Sequence, residues 1–435
     1  MHKLYEIRDP IHGFIQFNEW ERELINHPVF QRLRRIRQLG LTEMVYPGAT
    51  HTRFEHSIGV MHVATKMFDQ IVNRQKRYLK ELLNYSDEDF ERARTIVRLA
   101  ALLHDLGHSP FSHAGEGLML LNKEKAKPYK HEDYSAAIVE LMLKDTIELH
   151  PLNKYEIKAH TVANFLKGIP SLGRELLLWR NIIDSQLDAD RADYLLRDSH
   201  HIGVAYGRFD LDRILVTILV KPDPDTAAPI LVVKESGGHA VEGLILARYM
   251  MFTQVYFQHT RRVFDYHATE LLKLLLKKSQ GLCKRNNIGV FPPPVSIKNL
   301  EDYLRWCDCR VWGLLTQGEG GEHGARIIKR DHYRRVHDTP EVPNEKEIKV
   351  AETLFHSFEK HGAFLDRAEE SWYKLEDDDI PILTRDETIM PLSAWSNLIA
   401  GLKPINKLRV YVDSEFREQA ENYRDKLLSE LSGEG

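Results

Sequence analysis

The segment LLHDLGHSPFSH, Leu102 to His113, sets His104 and Asp105 side by side at the end of an apolar run, then adds Gly107, His108 and His113. A neutral imidazole and a hard anionic oxygen together suit a divalent metal that acts on phosphate oxygens. Adjacent side chains on a helix point about 100° apart, so such a pair fits one ion only near a helix end. Gly107 supplies that end. An isolated His-Asp dipeptide is common by chance, but this many titratable rings in one apolar stretch do not make a bland core.

Two other segments carry residues of the same kind. His56 lies in RFEHS, just past the turn at Pro47-Gly48, with Arg53 three residues before it. The planar fork of Arg53 suits a phosphate. In DADRADYLLRDSHH, Asp188 to His201, the residues Asp190, Tyr194, Arg197 and Asp198 fall on one helical face, and Ala189, Ala192 and Leu196 on the other. Taken alone, His56 reads as a capping or surface residue and the acidic-aromatic-basic stripe as a solvated face.

These segments need helices to position them. Apolar periodicity predicts helices over His56 to Asn73, Asp87 to Asp105, Gly173 to Asp198 and Val241 to Leu276, with a shorter helical stretch from Phe30 to Leu39. Val- and Ile-rich runs about PDPDTAAP, within Ile214 to Glu235, predict a β-hairpin or small sheet. Pro292 to Pro294 mark a break, Thr316 to Gly324 reads as a flexible loop, Lys407 to Val412 as a strand and Glu415 to Leu431 as a closing helix. The expected fold is mostly α: a helical catalytic domain over residues 1–280 with a β-rich insertion near 214–235, and a C-terminal α+β region over 281–435.

Composition narrows the class further. The 435 residues carry 43% hydrophobic and 29% charged side chains, an ordinary globular balance. A net charge of -4 argues against nucleic acid or an anionic membrane as the main partner, so the basic clusters RLRRIR (Arg32 to Arg37) and KRDHYRR (Lys329 to Arg335) read as local patches or solvated faces. The start MHKLYEIRDP lacks the apolar stretch of a signal peptide, and no run is long enough to span a bilayer. Cys283, Cys307 and Cys309 are too few for a disulfide framework, and C-x-C is not a zinc-knuckle spacing. Ordinary structural cysteines in the reducing cytoplasm are expected.

In order along the chain, DPIHG (Asp9 to Gly13), FQRLRRIRQLG (Phe30 to Gly40), YPGATHTRFEHSIGV (Tyr46 to Val60), HDLGHSPFSH (His104 to His113) and DADRADYLLRD resemble the HD-domain superfamily. More narrowly they resemble its deoxynucleoside triphosphate triphosphohydrolase branch, which holds dGTPases and the sterile-alpha-motif-and-HD-domain protein. The resemblance implies an HD-type helical core and a divalent metal held by His56, His104, Asp105 and Asp190. Its identity among Mn, Fe, Mg, Zn, Ni and Co is left open, because donor type alone does not select one. It further implies catalytic roles for His108, His113, His131 and Glu116. Gln38 and Asp198 would contact the sugar 3′-hydroxyl, Tyr194 would lie under the sugar, and Arg53 and Arg191 would bind phosphate. Homo-oligomers, dimeric or tetrameric, and a nucleotide effector are also implied.

Some positions depart from the pattern. Glu116 stands where relatives carry Asp, Arg191 where they often carry Lys, and Asn26 where guanine-regulated relatives carry Asp. Phe257 replaces a Tyr that touches the base, which leaves base preference open. The expected reaction cleaves a deoxynucleotide to deoxynucleoside and inorganic triphosphate. Hydrolysis of a nucleoside monophosphate or cyclic nucleotide, a nucleic-acid-binding protein, and a non-catalytic relic of the fold are the alternatives.

Overall fold

The computed structural model describes residues 3–122, 127–279, 284–285, 288–370 and 379–432. Cys283 lies outside them, while Cys307 is buried, Cys309 exposed, and both are free thiols. Among the described residues no helix is long and apolar enough to cross a membrane.

The core is mostly helical. Its longest element, Arg53–Leu83, starts three residues before the predicted helix and runs ten past it. Thr52 and Glu55 form a capping box at its start, and Asn84 ends it in the left-handed region at φ 54°. Ile58, Met61, Ala64, Phe68 and Ile71 make its buried face, which packs on helices Asp87–Leu103 and Ala189–Ile202. The helix Asp87–Leu103 is capped by Ser86 and Asp89 and becomes wholly apolar at its C-terminal end, where Leu99 to Leu103 are all buried. Its last helical residue is Leu103, so His104 caps the end and Asp105 lies just beyond it. That placement frees two neighbouring side chains to converge.

Gly107 explains the turn that follows. A Cβ there would stand 2.1 Å from the carbonyl oxygen of His131, so only glycine lets this loop lie against the helix His131–Leu141. Its N–H donates to Ser135 Oγ at 2.9 Å, and its carbonyl accepts from the Tyr303 hydroxyl at 2.6 Å.

The hairpin Ile218–Pro222/Pro229–Lys234 is antiparallel, with Leu219 opposite Val232. Pro381–Leu383 adds in parallel to its second strand and Ile389–Pro391 closes a four-stranded sheet. A separate three-stranded sheet, ordered Phe364–Glu370, Ile405–Val412, Arg334–Asp338, is covered by helices Glu345–Phe358 and Arg417–Ser432 around Val336, Leu354, Leu408 and Val410.

Five sequence expectations change. The stretch from Phe30 forms only a four-residue helix, Pro28–Gln31, and a 3₁₀ turn, Arg32–Arg35, after which Arg37 bridges to Thr52. Gly173 to Asp198 is not continuous: helix Arg174–Arg180 stops, and Ala189–Ile202 restarts because Asp188 caps it by accepting from Arg191 N at 2.7 Å. Val241 to Leu276 is likewise broken into Gly238–Met251, a π-helical turn Phe252–Tyr256, and His259–Lys278, which Gln258 caps. The glycine-rich stretch after Thr316 is a tight turn into helix Gly321–Lys329, where Gly320 and Gly324 leave room for the Leu315 side chain. Arg32 is not on a solvated face. It is buried and donates to the carbonyls of His108 at 2.8 Å, Leu106 at 3.4 Å and Trp306 at 2.7 Å.

Candidate active site

His56, His104 and Asp190 come from three different helices or helix ends, yet their ligating atoms lie within 4.8 Å of one another. Asp105 joins them, with Oδ1 3.2 Å from His104 Nε2 and Oδ2 3.7 Å from His56 Nε2. His56 Nε2 is 2.9 Å from Asp190 Oδ1. Each imidazole is oriented from behind. His104 Nδ1 donates to the Ala101 carbonyl at 2.8 Å, which fixes the proton there and leaves Nε2 as a bare, buried lone pair without a hydrogen-bond partner. His56 Nδ1 donates to Asp193 Oδ2 at 2.8 Å.

Asp193 is the hub of a buried network that the sequence reading missed. Arg197 grips both its oxygens at 2.8 and 2.9 Å, and His12 Nε2 donates to Oδ1 at 2.7 Å. Arg197 also reaches Asp9 at 2.8 Å. It therefore belongs to this network rather than to the Asp190–Tyr194–Asp198 face. Gly59 makes the room, since a Cβ there would fall 2.0 Å from Asp193 Oδ1. The DPIHG motif and the third acid of DADRAD were the available signals.

Two histidines and two carboxylates around an unpaired lone pair fit a divalent cation. The local field agrees. Burial raises the cost of charge on Asp190 and Asp105, yet His104 and His56 hold Asp190 below the usual carboxylate range, and Arg53, His104 and His108 do the same for Asp105. Burial opposes charge on His56 too, but Asp190 and Asp193 outweigh it and push its pKa up to about 10.

A second group adjoins this set. His131 Nδ1 lies 2.5 Å from Glu116 Oε1, and His113 Nδ1 3.2 Å from the same oxygen. The His108 ring stacks on His131 at 3.8 Å, and its Nε2 approaches Asp105 Oδ1 at 3.2 Å. Burial works against charge on His131, but the Glu116 hydrogen bond and charge win and raise its pKa to about 9. Glu116 is correspondingly held low by His113 and His131 despite its burial. His108 goes the other way: burial, then Arg53 and His131, push it well below the ordinary histidine value. At neutral pH, His131 is a cation and His108 a neutral ring.

Both groups open on one cavity of about 840 Å³, lined also by Gln38, Arg53, Arg191, Tyr194, Asp198 and Phe257. Arg53 donates to Asp105 at 2.5 Å and to Ser112 Oγ, while its Nε has no partner among the described residues. Arg191 is turned onto Asp188 and the Ser185 carbonyl. Asp198 accepts from His51 Nε2 and from the Tyr256 hydroxyl, both at 2.7 Å, and neither partner was singled out from sequence. Phe257 is buried against Ala368 and Ile405 at the cavity edge. His56 and Glu116 are not in the wall; they act on residues that are.

Residues 53–198, which span the four metal-set residues, match the HD domain. An uncharacterized protein of Methanocaldococcus jannaschii is 38% identical over 98% of this chain and 84% of its own length. An uncharacterized Bacillus subtilis protein is 37% identical over 61% of this chain, and the match spans about half (54%) of that relative. The mouse deoxynucleoside triphosphate triphosphohydrolase SAMHD1 is 33% identical over 48% of this chain and 33% of its own length. Among solved structures, a hypothetical protein from Aquifex aeolicus superposes with TM-score 0.76 at 31% identity, covering 97% of this chain and 99% of that one. A phosphohydrolase from Bacteroides thetaiotaomicron gives 0.71 at 25%, covering 94% and 100%.

Proposed function

The chain belongs to the HD-domain phosphohydrolase family, and from that premise we propose that it cleaves a deoxynucleoside triphosphate into the deoxynucleoside and inorganic triphosphate. The observation that carries this reading is the meeting, in one cavity, of a candidate cation-binding set, the His131 imidazole backed by Glu116, and two buried acceptors suited to a sugar hydroxyl.

His56, His104, Asp105 and Asp190 would hold the metal, which when bound lowers the pKa of water and polarises a phosphate oxygen. The other roles fall to the chain itself. Water attacks the α-phosphorus, a new P–O bond forms and the bond to the 5′-oxygen breaks; the proton the water loses passes to solvent, from which the acid is recharged. His131, charged through Glu116, stands as the acid that gives the departing 5′-oxygen its proton, a role that contributes about 10²–10⁴-fold. The unpaired Nε–H of Arg53 is available to a phosphate oxygen. Tyr194 lies in the wall beside Asp198, beneath the place for a sugar, and the exposed His113 takes the solvent side of Glu116.

A nucleoside monophosphate is the second reading, favoured by Arg191, which is folded onto Asp188 rather than free for a longer phosphate chain. The test incubates metal-loaded protein with each deoxynucleoside triphosphate singly and in mixture and resolves the products. Inorganic triphosphate with deoxynucleoside supports the proposal, and turnover in mixtures alone adds a nucleotide effector. Release of orthophosphate from monophosphates, with triphosphates untouched, replaces it with the second reading.

A further inference from the structure

Asp198 is 1% exposed, lines the cavity, and has each carboxylate oxygen already holding one protein donor, His51 on Oδ1 and Tyr256 on Oδ2. A carboxylate oxygen accepts two hydrogen bonds, so one site on each remains open. In the same wall Gln38 is 7% exposed, and its Oε1 is buried without a hydrogen-bond partner. Two buried acceptors on one wall call for a ligand that donates, and a hydroxyl is the neutral donor that a nucleotide sugar offers.

Tyr256 reaches Asp198 from a stretch where the helix is locally widened and underwound. It ends the π-helical turn Phe252–Tyr256 between two ordinary helices, and π-turns of this kind re-aim side chains at functional sites. Its ring also meets Tyr194 edge-on at 6.2 Å. His51 is held from the other side by stacking on His201 at 4.5 Å, while its backbone carbonyl accepts from Gln38 N at 3.1 Å. One backbone bond thus ties the two acceptors together.

We propose that Tyr256 and His51 are positioning residues that pin the Asp198 carboxylate as a sugar-hydroxyl acceptor and so set the preference for nucleotides with a 3′-hydroxyl. The inference rests on the nucleotide reading above and adds the residues that confer the selectivity. With either donor lost, the carboxylate is free to turn, and the 3′-hydroxyl no longer meets a fixed acceptor.

The test compares wild type, Tyr256→Phe and His51→Asn, each metal-loaded and checked by thermal melting. Each is titrated with the four deoxynucleoside triphosphates and their 2′,3′-dideoxy counterparts, by initial rates and by tryptophan quenching. Wild type is expected to favour the 3′-hydroxyl form by about tenfold or more, the worth of one hydrogen bond to a charged group. Both variants are expected to cut that ratio to about twofold, an effect that general loosening of the fold would not confine to one ligand of each pair. An unchanged ratio in the variants, or none in wild type, overturns the inference. If one variant melts early, the ratio of the other decides. Quenching with an intact ratio but no turnover removes the proposed reaction and leaves the positioning role standing, whereas no binding of either ligand removes both.

Discussion

His56 Nδ1 donates to Asp193 Oδ2 at 2.8 Å, and this bond fixes which nitrogen His56 turns toward Asp190 and Asp105. Asp193 is itself clasped by Arg197 and His12. The hub therefore orients one member of the candidate metal set from behind, on the ring nitrogen that faces away from Asp190 and Asp105.

Asp193→Asn keeps the shape but weakens the acceptor behind His56. Metal affinity is expected to fall about 10–100-fold, the usual cost of losing such a supporting carboxylate. Metal content after dialysis against a graded chelator series checks this, and retention equal to wild type would remove Asp193 from the role.

His104→Ala and Asp190→Ala each delete one donor of the candidate metal set. Both variants are expected to fold, to lose bound metal and to lose activity by several orders of magnitude. Elemental analysis alongside turnover is the measurement. Full activity in either folded variant would refute the assignment.

The His131–Glu116 pair predicts an alkaline limb. Because the folded pKa of His131 is about 9, above its unfolded value near 6.5, the imidazolium is complete at neutral pH and is lost as pH rises through about 9. Turnover should fall over that interval. The pair's contribution to stability has the same sign: full below about pH 6.5 and lost by the time pH passes about 9. Glu116→Gln removes the main force that opposes burial and leaves only Glu132 and Asp105 to raise the His131 pKa, so the limb is expected to move to lower pH; a pH–rate profile that stays in place would count against His131 as the acid.

Arg32 ties three carbonyls, those of Leu106, His108 and Trp306, to one guanidinium. Arg32→Met leaves those acceptors buried and bare at about 1–3 kcal/mol each, so a loss of about 3 kcal/mol or more is expected in urea unfolding. A change within about 0.5 kcal/mol would show that water replaces the donor.

The candidate metal set was legible in sequence as a proposal because its residue types fall in short runs, a His-Asp pair at the end of an apolar helix and an Asp opening another. The long helices were legible from their apolar faces. What escaped depended on distant partners. Asp193 sits in the same acidic run as Asp190 and reads as one more solvated charge until folding brings His12 and His56 to it. Arg197 reads with the cavity stripe by spacing, but Asp193 four residues earlier claims it. His51 and Tyr256 reach Asp198 from 147 and 58 residues away, and local periodicity carries no trace of either contact. Arg32 looked solvated because its acceptors are backbone carbonyls, which have no sequence signature.

Gly107 has a consequence for motion. With no side chain between its backbone and the His131 carbonyl, the loop carrying His104 and Asp105 and the helix carrying His131 touch as two rigid bodies. Their spacing is a backbone dimension, which rotamer changes cannot alter. A tilt of that helix would therefore press directly on the end that carries His104 and Asp105, coupling the proposed proton donor to the candidate cation set. Alanine at this position would act as a wedge, prising the two apart without changing any reactive side chain.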